Sequence, residues 1–504
     1  MEKINEIARK LEELEEQSSK LEWTQYTVGY DFGCEEAYEK IVEFMKDKAN
    51  FETICEYRNK DLSFEDKRRV EIMYNMLEEY HLSDELNELQ LEIQKKTNEL
   101  SKILNTHRST FEGREVTSVD LSQILMNDDN RERRKAAYFS RAQVNKPLVD
   151  GGFVELIKLR KEYAKLYGAK DFVDYSLKTQ DLDTSIFKNW TSQLHEILPK
   201  MNSVRSEYAK KYINDDKIMP WDGGYIGSKI APLLNTTVDI NNYYEVLQGF
   251  FKNFGIDISK FNITYDVFSR ANKSEWGYNF PIRTAKDSRI LANVKNKYNE
   301  YGVLLHETGH GVHSFVLDPE ETILNMGVSG IISEGLANLF GGFLYEKIFF
   351  EKFFDDVEAA EEQFSQIRNY DRLMSLRAIN DILFDQELYR NNIESLDDIY
   401  QLYWKVYKDV LMEEPFADEV PWGFRIHHTT HPIYLHNYFM GDVTCEMLSS
   451  VFKKKYNVKD VTNKPLDFGE FLTNEVIKAS GLYKYQDLFK RISGEEFSLK
   501  YMID

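Results

Sequence analysis

His306, Glu307 and His310 stand in the stretch Leu305-His306-Glu307-Thr308-Gly309-His310-Gly311-Val312-His313, an H-E-x-x-H spacing inside an apolar run. Val303 and Leu304 precede it, Val312, Phe315 and Val316 follow, and no proline falls between Tyr301 and Asp318. This spacing predicts one continuous helix. On a helix, residues i and i+4 share a face, so the two imidazoles can point at one zinc ion. Glu307 follows the first of them and can reach a water at the ion without ligating it, which is the place of a general base. His313 lies on the same face one turn on, where it packs or meets substrate.

Two imidazoles need a third ligand, and Glu334 supplies a candidate. It lies in Ile331-Ile332-Ser333-Glu334-Gly335-Leu336-Ala337-Asn338-Leu339-Phe340, a second apolar segment with helical spacing. Apolar neighbours on both sides argue for a buried carboxylate, and buried carboxylates need a partner. Two histidines and one carboxylate leave a fourth zinc position open, as a hydrolytic site requires. The expectation is one Zn2+ per chain on His306, His310 and Glu334.

The elements that must hold these residues are mostly helical. The chain has 504 residues, 42% hydrophobic and 14% aromatic, ample material for a core. Its first proline is Pro147, and only Gly29, Gly33 and Gly113 precede it, which predicts long helices in the opening part. Apolar stripes fall at helical spacing in 3–20 (Ile4, Ile7, Leu11, Leu14), 34–48, 64–106 with a break at 81–84, 153–167, 183–213 and 242–254. Asp128-Asp129-Asn130 reads as an N-cap, and the Arg131, Arg133, Arg134 and Lys135 that follow read as a solvated helix face. Met219–Tyr225 reads as a loop. Short β-prone runs at 261–268, 276–280 and 289–294 lie just before the motif helix. They suit either a structural hairpin or a sheet edge to which an extended peptide adds. After Glu334 the chain is again helical to about 412.

A net charge of −21 argues against nucleic acid or an anionic membrane as partner. Three scattered cysteines give no disulfide framework. The charged N-terminus lacks a signal-peptide core, and no run of apolar residues spans a membrane. A reducing cytoplasm is the compartment these features suggest.

A second group of histidines follows in Arg425-Ile426-His427-His428-Thr429-Thr430-His431-Pro432-Ile433-Tyr434-Leu435-His436-Asn437-Tyr438. Peptide hydrolysis at zinc develops an oxyanion, and a His and a Tyr from a separate segment suit its stabilisation. Packed aromatics and a solvated His loop are the alternative. Arg425 could pair with a peptide's C-terminal carboxylate or be an ordinary surface arginine.

These residues resemble the zinc oligopeptidases of the thimet oligopeptidase and oligoendopeptidase F family. His306, Glu307, Gly309, His310 and His313 match that family's H-E-x-G-H-x-x-H position by position, Ile290-Leu291-Ala292-Asn293 resembles its apolar strand ending in Asn, and Glu334 stands at its third-ligand distance. Angiotensin-converting enzyme is similar too. Its substrate-lining strand ends in a Trp before the zinc helix, as Ser274-Glu275-Trp276 does here, and the ten-residue spacing of its catalytic His and Tyr is that of His428 and Tyr438. His431 with Tyr438 fits the other register, so both histidines stay candidates. Where zinc peptidases of this broad type often carry an Asp that orients a histidine ligand, this chain has Asn338.

The resemblance implies a mainly α fold, a large helical ellipsoid with a deep substrate channel and a small β-sheet beside the zinc helix. Residues 1–214 would form one helical channel wall and 215–504 the catalytic helical region, integrated in a single domain. It implies hydrolysis of internal bonds in short unfolded peptides, with Glu307, Tyr438 and His428 or His431 catalytic, and Trp276, His313, Tyr434 and Arg425 facing substrate. A dipeptidyl carboxypeptidase or carboxypeptidase of the same fold is the alternative, as is a zinc-containing peptide binder without turnover. The partners implied are short peptides, with the chain a monomer or a homodimer.

Overall fold

The computed structural model describes residues 1–275 and 277–503. The fold is mainly α, with one two-stranded and one three-stranded sheet among the described residues. The backbone divides into two compact units, each assembled from separated stretches of chain.

One unit comprises Met1–Leu82, Leu233–Glu361 and Met440–Phe497. Its N-terminal helix, Glu2–Val28, ends at Gly29 in the left-handed conformation. Ile4, Ile7, Ala8 and Leu11, spaced to share one face, are buried with Ile54, Val70, Ile72, Met73 and Leu77 from the helices Lys48–Arg58 and Phe64–Glu78. Ser63 and Asp47 cap those two helices through their side chains.

The three-stranded sheet of this unit has Asp287–Leu291 at its centre. Ile263–Asp266 pairs with it in parallel, Ile263 opposite Ser288, and Tyr278–Arg283 pairs antiparallel, Tyr278 opposite Leu291. The β-prone runs thus contain strands with shifted bounds: the first is trimmed at both ends, the second runs on to Arg283 and the third begins earlier, at Asp287. Trp23 and Tyr26 of the N-terminal helix set their rings edge-on against Phe280 and Tyr278 at 5.3–5.4 Å.

The motif helix, Glu300–Val316, lies against this sheet: Tyr265 Oη and Thr308 Oγ1 are 3.2 Å apart. It is apolar enough to bury Tyr301, Leu304, Leu305 and Val312 completely. Its other face meets the helix Gly330–Gly342. Gly309 allows that approach, since a Cβ there would stand 3.1 Å from both Ala337 Cα and Phe340 Cδ2.

The other unit comprises Ser83–Pro232, Glu362–Phe439 and Ser498–Asp504. Its helices include Asp84–Thr106, Phe153–Tyr167, Trp190–Ile213, Ala378–Arg390 and Leu396–Leu411, the last ending at Met412 in the left-handed region. Two local readings are corrected here. The opening part contains a hairpin, Ser109–Phe111 with Arg114–Val116, turned at Glu112 and Gly113, both with positive φ. The loop before Tyr225 ends early, because a helix begins at Gly223.

The arginine cluster is a solvated face only in part, with Lys135 exposed and the Arg133 side chain 42% exposed. Asn130 caps the helix as expected, but Arg134 is 1% exposed and, with Arg131, is paired to the fully buried Asp222 at 2.7–2.9 Å. Burial of both guanidinium and carboxylate requires this pairing.

A second ionic cluster in this unit centres on Glu413. Glu413 accepts from Arg377 at 2.7 and 3.1 Å, from Arg205 at 2.9 Å and from Tyr407 at 2.5 Å. Burial pushes its carboxyl up, but the hydrogen bonds and charge of Arg377 lead the opposing effects and hold it down, from 4.5 to about 2. A carboxyl whose folded pKa is depressed stabilises the fold above its unfolded value and loses that contribution as pH falls. Thermal melts of Glu413→Gln should therefore lie below those of the unaltered protein above pH 4.5 and converge with them as pH approaches 2. A gap that stays constant over that interval would contradict the assignment.

No helix among the described residues is long and apolar enough to cross a membrane.

Candidate metal centre

The motif helix and Gly330–Gly342 bring three side chains to one point. One ligand atom from each of His306, His310 and Glu334 lies within 4.8 Å of the others. His306 Nε2 is 3.8 Å from Glu334 Oε1, and His310 Nε2 is 3.7 Å from Glu334 Oε2. A tetrahedral ion with bonds of about 2.0–2.2 Å sets its ligand atoms roughly 3.4 Å apart, a little closer than the histidine–carboxylate distances here. Two imidazole nitrogens and a carboxylate oxygen form a donor set suited to zinc.

The protonation of this group is what a cation needs. Burial lowers His306 to about 4 and His310 to about 3, so both rings are neutral at neutral pH, with lone pairs available. His310 Nδ1 is 3.0 Å from Ser333 Oγ; donation to that hydroxyl leaves Nε2 as the free acceptor facing Glu334. Burial raises Glu334, and raises Glu307 to about 7 with the added effect of the Glu334 charge. A divalent ion offsets the like-charge repulsion between two such carboxylates.

Glu307 is 8% exposed and projects from the turn that carries both imidazoles. Its Oε1 lies beside Gly277, where an added Cβ would stand 3.4 Å away. His313, one turn on, is 4% exposed and is lowered to about 4 by burial. The expected helical placement of Glu334 is present, although the residue is half-buried, its side chain 25% exposed.

Two further residues stand behind the ligands: Asn338, marked already by its place in the sequence, and Asp442, which has no signal there. Asn338, one turn after Glu334, hydrogen-bonds His306 and donates its Nδ2 to Asp442 Oδ1 at 3.0 Å. Asp442 sits on the helix His436–Tyr456, which approaches Glu334 so closely that a Cβ on Gly441 would stand 3.0 Å from Glu334 Cγ.

The second histidine group belongs to the other unit. His428 is 1% exposed, with its ring edge-on to Phe384 at 5.1 Å. His431 is exposed, with Nδ1 2.9 Å from Thr430 Oγ1. Tyr434 and Tyr438, each nearly half exposed, meet ring to ring at 5.7 Å. The imidazole against Tyr438 is that of His427, at 5.6 Å, a residue the spacing argument passed over. Arg425 pairs with Asp381 at 3.3 Å. Trp276 lies outside the described residues.

No family model and no curated protein matches the sequence. Among solved structures, the chain is similar to the crystal structure of M32 carboxypeptidase from Deinococcus radiodurans R1, with a TM-score of 0.64 and 14% identity. The likeness covers 99% of this chain and 97% of that one, so the two share a fold from end to end.

Proposed function

We propose that this chain is a zinc-dependent peptidase that removes residues from the C-terminal end of peptides. The observation that carries the peptidase reading is the convergence of His306, His310 and Glu334, with Glu307 beside them on the motif helix. The carboxypeptidase reading, in place of cleavage at internal bonds, is supported by the full-length likeness to a carboxypeptidase.

His306 and His310 offer Nε2 lone pairs and Glu334 an anionic oxygen to one zinc ion. Bound zinc polarises the scissile carbonyl and makes the attacking water more acidic. Glu307 takes a proton from that water at its carboxylate and delivers it to the nitrogen of the breaking C–N bond. Its burial, and its position one residue from a ligand, hold it near the reacting atoms without using a coordination position. Ser333 fixes the His310 ring, and Asn338 the His306 ring, so neither has to reorient during turnover.

Three peptides of one sequence separate the possible activities: one with a free C-terminus, one C-amidated, and one blocked at both ends. After incubation with the zinc-loaded protein, mass spectrometry should find stepwise loss of single C-terminal residues from the first alone. Loss of dipeptides would assign a dipeptidyl carboxypeptidase, and internal fragments from the doubly blocked peptide would assign an endopeptidase. Three intact peptides would overturn the peptidase reading.

A further inference from the structure

The two imidazoles of the metal centre are backed differently. His310 has the neutral hydroxyl of Ser333 behind it, and His306 has the side chain of Asn338. A ligating histidine ordinarily gives its second N–H to a carboxylate, backbone carbonyl or water, which orients the ring and strengthens it as a donor. An amide does this less well than a carboxylate, because it carries no charge. It can also turn over, presenting N–H2 to the ring instead of oxygen.

Asp442 addresses both weaknesses. Its carboxylate can only accept, and it accepts from Asn338 Nδ2 at 3.0 Å. That bond commits the amide nitrogen to Asp442 and leaves Asn338 Oδ1 as the atom available to the second ring nitrogen of His306, whose Nε2 is the one near Glu334. A carboxylate at the far end also polarises the amide and makes its oxygen a better acceptor. The close approach of the helices at Gly441 and Glu334 holds Asp442 at this position. Burial disfavours its charge, and the neighbouring charges of Glu334 and Glu446 add to that.

We propose that Asp442 is a positioning residue for the metal, acting through Asn338 to orient His306 and increase its strength as a ligand. This rests on the zinc reading above and extends it to a residue in a different helix, 104 positions beyond Asn338.

The test is zinc affinity, measured by chelator competition on the full chain, together with melting temperatures of the metal-free proteins. Asp442→Asn should weaken zinc by about 10- to 100-fold. Its metal-free melting temperature should not fall, since the substitution removes one of three neighbouring acids. Adding Asn338→Asp to Asp442→Asn places a carboxylate directly on His306 and should restore most of the affinity. His306→Ala is the control that loses the site. Unchanged affinity in Asp442→Asn would overturn the proposal while the zinc reading stands. So would a loss that follows a lower melting temperature, or one that Asn338→Asp fails to repair. Failure of the unaltered protein to bind zinc would remove both.

Discussion

Glu307→Gln should lower kcat by about 10³- to 10⁴-fold with zinc content and melting temperature unchanged, the upper part of the range for general acid–base catalysis. The substitution keeps the size and hydrogen-bonding reach of the side chain and removes its capacity to take a proton. It also removes one of two close carboxylates, so the fold should not suffer: burial and Glu334 already disfavour the Glu307 charge, pushing it up to about 7. Zinc content by metal analysis, beside single-turnover rates on a peptide with a free C-terminus, measures both halves of the expectation. Full turnover in the variant would remove Glu307 as the base, and loss of zinc would place it among the ligands.

Glu334→Ala should have the opposite signature, with loss of metal preceding loss of rate. Glu334 is the anionic member of the group, and the imidazole pair left behind holds zinc weakly. Affinity should fall by more than the roughly 10²-fold that marks loss of a supporting residue. Zinc at 1,000 times its dissociation constant stabilises a protein by about 4 kcal/mol, so zinc should raise the melting temperature of the unaltered protein and leave the variant's unmoved. The metal-free variant should still fold. Ile331, Ile332, Leu336, Leu339 and Phe340 of the same helix remain buried, and the lost carboxylate is one that burial disfavours. A zinc-dependent shift of normal size in Glu334→Ala would exclude this residue as a ligand.

The parts of this centre legible in the sequence are those that local spacing dictates. H-E-x-x-H puts two imidazoles on one face whenever the segment is helical, and the apolar run around it makes it helical. The helix of Glu334 was legible for the same reason, and the strands before the motif were marked by their β-branched and aromatic content. What was not legible depends on partners remote in sequence. Arg134 reads as solvated because nothing near it reveals Asp222, 88 residues away, which neutralises it in the core. Asp442 sits in a helix whose own pattern concerns packing, and only the tertiary contact with Asn338 gives it meaning. Among His427, His428 and His431, spacing to Tyr438 could not show that one ring is buried against Phe384 and another meets the tyrosine. The hairpin at Ser109–Val116 was missed because scarcity of proline and glycine predicts helix, while its turn needs only Glu112 and Gly113.

The most direct measurement is X-ray absorption at the zinc edge on the zinc-loaded full chain, with the metal-to-protein ratio determined on the same sample. One zinc per chain should appear, with two imidazoles and light oxygen donors at about 2.0–2.2 Å and no sulfur. Zinc without imidazole scattering, or with sulfur in its shell, would contradict the assignment of His306, His310 and Glu334 as the metal centre.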